Sequence, residues 1–317
     1  MNFRRCFSLA LLLTLILTLG ISLASAQAKL PMVVSTDWLS SHLNDSEIVI
    51  LAVGGNQRSY ASGHIPGARY LDLHEIVQSA AGWYDLPPLA TIKTAFERVG
   101  VGNRSRIVLY GENKGMLAAR AYFTLDYLGL GDQTALLDGG LEKWTAEHRS
   151  VATDLVAPKV STLAVQAHPE VVTDLGSVMK AVSSKTPPII DARSPADFAG
   201  SAGGFAAART GHIPGAKDVY WMETLAATDV PVFKSTAEIR SRYQSAGLTP
   251  GAKVIVYCKS GMQASVGYFT LKLAGFKPVL YPGSFSEWVA AFGTAVENTT
   301  SSSCSVDWNQ AGVCSIK

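Results

Sequence analysis

The chain has 317 residues, the length of two domains rather than one or four. Hydrophobic residues make up 48% and charged residues 16%, so the chain can bury a large core, which argues against disorder, collagen and low-complexity scaffolds. Lys+Arg 27 against Asp+Glu 25 gives +2, and no basic run is present, which argues against nucleic-acid binding and against a polybasic membrane patch.

Residues 1–26 read as a secretory signal. Arg4 and Arg5 precede a Leu-rich stretch from Leu9 to Leu19, and Ala24-Ser25-Ala26 supplies small residues at a cleavage site. Retention as an anchor is the competing reading, diluted by Thr14, Thr18, Gly20 and Ser22 inside the run. Cleavage leaves a formally neutral chain, in the periplasm or secreted, with no membrane attachment. Arg4-Arg5 loosely resembles a twin-arginine signal, so the export route stays open.

Residues 30–148 then form one unit and residues 170–297 a second copy of it. Gly63-His64-Ile65-Pro66-Gly67-Ala68 recurs as Gly211-His212-Ile213-Pro214-Gly215-Ala216. Ile107–Tyr110 returns as Val254–Tyr257, and Tyr122-Phe123-Thr124-Leu125 as Tyr268-Phe269-Thr270-Leu271. Asp138-Gly139-Gly140 with Glu142 and Trp144 matches Pro282-Gly283-Ser284 with Glu287 and Trp288. The segment 149–169, rich in Ser, Thr and Ala, reads as a linker between the copies.

Within the second copy, Ile189–Asp191 reads as a strand, Ala237–Ala246 as a helix closed by Gly247, and Val254–Tyr257 as a buried parallel strand. Ser265–Ala274 reads as a helix stopped by Gly275, Val279–Tyr281 as a strand and Phe285–Phe292 as the last helix. This β-α-β-α order predicts an α/β fold, two tandem domains each with a mostly parallel sheet flanked by helices. Residues 298–317 form a polar tail. Its Cys304 and Cys314 are placed to form a local disulfide in an oxidising compartment, which leaves Cys258 unpaired. The cysteine spacing does not fit a metal site.

Cys258 follows a predicted buried strand and precedes a helix, with Lys259, Ser260, Gly261, Met262 and Gln263 forming the turn. The carboxyl end of a parallel strand is where open α/β sheets bind ligands. The helix start adds outward-pointing N–H groups, and Gly261 lets the backbone curl so that several of them converge on the sulfur. Both features, with Lys259 beside them, favour a nucleophilic thiolate. The matching turn of the first copy, Gly111-Glu112-Asn113-Lys114-Gly115, has no cysteine, so the first domain is expected to be inactive.

The sequence resembles the tandem-domain rhodanese (thiosulfate:cyanide sulfurtransferase) family over roughly Val33 to Glu297. Tyr60–Ala68 is similar to its N-terminal signature, Tyr281–Trp288 to its C-terminal one, and Asp191-Ala192-Arg193 to its Asp-x-Arg segment. The resemblance puts Cys258 on the persulfide-forming cysteine. It implies a small anionic sulfur donor, thiosulfate or 3-mercaptopyruvate, and a cyanide or thiol acceptor, a protein thiol included. It implies neither metal nor organic cofactor. Lys259 leans toward thiosulfate and Ser260 toward mercaptopyruvate. Asp197 stands where animal-type enzymes carry a substrate-binding arginine, so Arg209 is a substitute clamp or a solvated loop charge. Arg193, Trp221 and His64 are further candidate contacts, each with a structural role as the alternative. His64 approaches the site only if the two domains face each other across it.

Two other functions compete with this one. Cysteine phosphatase chemistry needs an arginine six residues after the cysteine, where Ala264 stands. A sulfur-carrier module shares Cys258 and hands its persulfide to a partner.

Overall fold

A computed structural model describes residues 29–202 and 209–299. The signal segment, most of the inserted loop before the second GHIPGA turn, and Cys304 with Cys314 lie outside the described residues.

The first domain comprises β1 (Val33–Val34), α1 (Thr36–Ser41), β2 (Ile48–Gly54), α2 (Gln57–Ser62), β3 (Arg69–Asp72), β4 (Gln78–Ala80), β5 (Trp83–Asp85), α3 (Leu89–Arg98), β6 (Arg106–Gly111), α4 (Met116–Tyr127), β7 (Thr134–Leu137) and α5 (Gly140–Ala146). Its main sheet has the order β1-β7-β6-β2-β3, all parallel, while β4 and β5 form a separate antiparallel hairpin. The second domain comprises α6 (Leu175–Ser184), β8 (Ile189–Asp191), α7 (Pro195–Ala199), β9 (Lys217–Asp218), α8 (Thr236–Ser245), β10 (Lys253–Tyr257), α9 (Gln263–Leu273), β11 (Lys277–Leu280) and α10 (Ser284–Ala290). Its sheet has the parallel order β11-β10-β8-β9, and a single parallel bridge from Val172 to Leu280 takes the edge place that β1 fills in the first domain.

The expected elements of the second copy are present, with ends displaced by a few residues. The last helix stops at Ala290, two residues early, and leaves Phe292 almost fully exposed in the turn beyond it. The α/β layering follows from the sequence: β2 is buried along its whole length and β10 along all but its first residue, so helices must cover both sheet faces.

One core cluster runs through both domains, joining Leu109 and Phe123 to Val256 and Tyr268. At its centre α4 packs on α9, the two helices that carry the repeated Tyr-Phe-Thr-Leu. Tyr122 meets Phe269 edge-on at 4.8 Å and Phe123 meets Tyr268 at 5.1 Å. Each residue thus touches the counterpart of its own neighbour, the reciprocal pattern of an isologous contact formed within one chain. Such aromatic pairs add about 0.5–1.5 kcal/mol each beyond burial. Residues 149–169 do not dangle between the units. Leu163 is buried, and its amide donates to Glu97 while that of Ala164 donates to Asn103, so this segment straps along the first domain.

Candidate active site

β10 delivers Cys258 to the carboxyl end of its sheet, and the chain turns into α9 within four residues. The turn needs glycine at 261. Its φ is +92°, and a Cβ there would stand 2.7 Å from the Pro282 carbonyl and 3.1 Å from that of Tyr84. The Gly261 amide donates to Cys258 Sγ at 3.1 Å.

Ser284 braces the loop from the start of α10. Its hydroxyl donates to the Tyr281 carbonyl at 2.9 Å, accepts the Cys258 amide at 3.1 Å, and lies 4.0 Å from Sγ. It does so in the left-handed region at φ +52°, where the first copy carries Gly140 at +58°. The amides of Phe285 and Ser286 donate to the carbonyls of Cys258 and Lys259, both at 2.9 Å, which pins the loop to α10.

The first domain closes the site. The Tyr84 amide, on the β4–β5 hairpin, donates to the Ser260 carbonyl at 3.0 Å. Arg120 of α4 is fully buried at the same place, donating to the Asp85 carbonyl at 3.0 Å and, through a longer contact of 3.4 Å, to that of Gly261. Its Nε has no partner. Burial pushes the Arg120 guanidinium down to about 10, while the charges of Asp85 and Cys258 act to hold its proton on. Cys258 itself is 1% exposed.

The predicted loop is thus assembled, with one difference. Among the described residues a single amide, that of Gly261, is bonded to the thiol rather than a ring of them, with the Ser284 hydroxyl the further donor at 4.0 Å. In the first turn of α9 the Ser265 amide already donates to the Met262 carbonyl at 3.0 Å. Lys259 is exposed, Ser260 and Gln263 are half-buried, and Met262 is buried in the shared core.

The other candidates are placed elsewhere. Arg193 is buried, paired with Asp191 at 2.5 Å, bonded to the Gly211 carbonyl at 2.7 Å, and laid over the Phe285 ring at 4.0 Å. Burial alone would lower its pKa, but the Asp191 hydrogen bonds and charge outweigh this and raise it. Arg209 lies exposed at the end of α10, where its guanidinium donates to the carbonyls of Val289 at 2.6 Å, Ala291 at 3.2 Å and Thr294. Those carbonyls at a helix C-terminus attract a cation. His64 is fully buried against Tyr60, 3.9 Å ring to ring, and lines a cavity of the first domain instead of approaching Cys258. Trp221 is buried in the same cluster as Cys258, its Nε1 without a partner.

Sequence reasoning missed Arg120, Ser284 and the hairpin. Arg120 did leave a signal: it is the lone charge in the first three turns of an otherwise apolar helix, and a buried arginine requires acceptors.

The rhodanese-like domain model matches this chain twice, over residues 35–147 and 174–291. The chain is 31% identical over 283 residues to the sulfur carrier protein TtuD of Thermus thermophilus, covering 84% of this chain and 96% of that one. It is 33% identical over 278 residues to a putative thiosulfate sulfurtransferase of Saccharopolyspora erythraea, again covering 84% and 96%. The crystal structure of SseA from Escherichia coli, a 3-mercaptopyruvate sulfotransferase, superposes with a TM-score of 0.71 at 28% identity, covering 81% of this chain and 99% of that one. With two matched domains spanning most of its length around one loop cysteine, the chain belongs to the rhodanese family of sulfurtransferases.

Proposed function

We propose that this protein is an exported thiosulfate sulfurtransferase that works through a persulfide on Cys258. The Cys258 thiolate attacks the outer sulfur of thiosulfate. The new S–S bond forms as the old one breaks, and sulfite leaves with the electron pair. A thiophilic acceptor then attacks the sulfane sulfur and returns the Cys258 thiolate. The observation that carries this reading is the environment of Cys258, with the Gly261 amide on Sγ at 3.1 Å and the buried Arg120 guanidinium on the Gly261 carbonyl at 3.4 Å. Both stabilise negative charge on the sulfur, and Arg120 draws an anionic donor.

Cys258 is 1% exposed, and opening of the β4–β5 hairpin, which bonds the loop through Tyr84 and Ser260, is the route by which this reading brings the donor to it. Export rests on residues 1–26 of the sequence. Steady-state rates with thiosulfate and 3-mercaptopyruvate, each against cyanide, test the reading. It expects parallel double-reciprocal lines, higher kcat/KM for thiosulfate, and no turnover in Cys258→Ser; intersecting lines or an active Cys258→Ser contradict it.

A carrier role is the second reading, favoured by the enclosed sulfur and by the likeness to a protein named as a sulfur carrier. It expects faster discharge of the persulfide to a protein thiol than to cyanide.

A further inference from the structure

The two domains also differ in what fills the space beside Tyr110 of β6 in the first and Tyr257 of β10 in the second. In the second domain Tyr257 pairs with Asp191 across the sheet, and its hydroxyl donates to that carboxylate at 2.6 Å while accepting the Ile213 amide at 3.0 Å. The guanidinium of Arg193 fills the adjoining space, between the rings of Tyr257 and Phe285. In the first domain Tyr110 pairs with Ala52, and its hydroxyl accepts the Ile65 amide at 3.2 Å. The repeat therefore sets Ala52 where Asp191 stands, Gly54 where Arg193 stands, and Leu141 where Phe285 stands. The internal cation and its counter-ion are both deleted, and a cavity of about 270 Å³ remains, lined by Tyr110, Gly54 and Leu141.

The walls of this cavity suit the group that was lost. No lysine or arginine lines it. Glu112 and Glu142 do, where the second domain has Lys259 and Ser286. A Cβ at Gly54 would lie 3.0 Å from the Tyr70 ring and 3.3 Å from Glu112 Oε1, so an aromatic face and a carboxylate, the latter also accepting the Gly55 amide at 3.4 Å, border the position that Arg193 takes in the other domain. Tyr70 is held against the Gly54 carbonyl, and with Tyr110 it offers aromatic surface, on which cations bind well. His64, fully buried, also lines the cavity. Its Nδ1 lies 2.9 Å from the Tyr60 carbonyl and so carries the proton, which leaves Nε2, without any partner, as an acceptor. Acceptors and aromatic rings surround a space shaped in the sister domain by a guanidinium.

We infer that the cavity between Tyr110, Leu141 and Glu112 binds a small guanidinium compound, in a site independent of Cys258. The group enters where Arg193 sits in the other domain, with Glu112 and Glu142 as its counter-ions and Tyr110 and Tyr70 against its faces.

Calorimetry on the full chain with butylguanidinium, and with the neutral isostere butylurea, tests this. The inference expects one saturable site per chain, with butylguanidinium bound at least roughly tenfold tighter than butylurea. Binding should persist in Cys258→Ser and weaken by roughly tenfold in Glu112→Gln, a variant whose sulfurtransferase turnover should be unchanged and so reports an intact fold. Refilling the space with Ala52→Asp/Gly54→Arg should abolish binding, and Glu142→Gln supplies a milder lesion should that pair misfold. An arginine-containing peptide run beside the free compound separates capture of a protein side chain from capture of a metabolite. Absence of saturable binding, equal affinity for butylurea, or loss of binding in Cys258→Ser with Glu112→Gln unaffected would each overturn the inference.

Discussion

Ser284 holds a left-handed φ of +52° that glycine adopts freely, so its hydroxyl must return more than the strain costs. It accepts the buried Cys258 amide, which would otherwise have no partner at that position. Ser284→Ala should therefore destabilise the fold by about 1–3 kcal/mol, the usual cost of stranding a buried donor. Ser284→Gly loses the same hydroxyl but relieves the backbone, and should cost less than Ser284→Ala. Urea unfolding of the two variants checks the order; an alanine variant as stable as the glycine one would contradict it. At Arg120 the account expects charge to matter. Arg120→Met should lower kcat/KM for thiosulfate by roughly 10²-fold, the scale of losing one preorganised donor or charge at a reacting centre. Burial lowers the Arg120 pKa to about 10, so the guanidinium is charged below that pH and loses its charge as the pH rises through it. An alkaline fall in kcat/KM near pH 10, absent in Arg120→Met, is the expected profile.

Two elements decide access and domain pairing. The β4–β5 hairpin lies over the loop through the Tyr84–Ser260 bond and the close approach of Tyr84 to Gly261. Opening of this hairpin should limit reagents reaching Cys258. Replacing residues 79–84 by a short Gly-Ser link should raise the rate of Cys258 alkylation by iodoacetamide at least roughly tenfold, since local opening is then no longer required. An unchanged rate would mean that access lies elsewhere. Helices α4 and α9 hold the domains together, and a buried polar knot between them is Asp126, which accepts both Lys272 at 2.6 Å and the Tyr268 hydroxyl. Asp126→Ala should cost about 2 kcal/mol, mainly by stranding the buried Tyr268 hydroxyl, because the Lys272 side chain is 31% exposed and can turn to solvent. Chemical denaturation measures this directly. The sequence marks these helices as buried through their repeated Tyr-Phe-Thr-Leu, but gives no indication that the two copies of that motif face one another. Such a pairing depends on contacts across more than a hundred residues, and periodicity reports only which face is apolar, not what covers it.

At the scale of the whole molecule, duplication made the fold legible. Two GHIPGA turns, two apolar third strands and two Trp-bearing last helices give the architecture before any contact is known. The position of Cys258 was equally legible, since a strand end followed by a glycine-bearing turn and a helix has few geometries. What the sequence concealed are the features that arise between copies: Arg120 approaching from the other domain, and the hairpin closing over the loop. Arg193 lies in the Asp191-Ala192-Arg193 segment and pairs with the carboxylate two residues before it, the structural role open to it in the sequence, whereas Arg209 is held by helix-end carbonyls some eighty residues on, partners that only folding brings near. In the proposed function the two domains divide their labour, the second supplying the sulfur and the first, through Tyr84 and Arg120, the groups that bond its loop. The most direct test labels the outer sulfur of thiosulfate, incubates the full chain with it in the absence of acceptor, and maps the label by peptide mass spectrometry. The account predicts one labelled sulfur on the peptide containing Cys258, released on adding cyanide and absent from Cys258→Ser. Label that is missing, or that resides on any other residue, would contradict it.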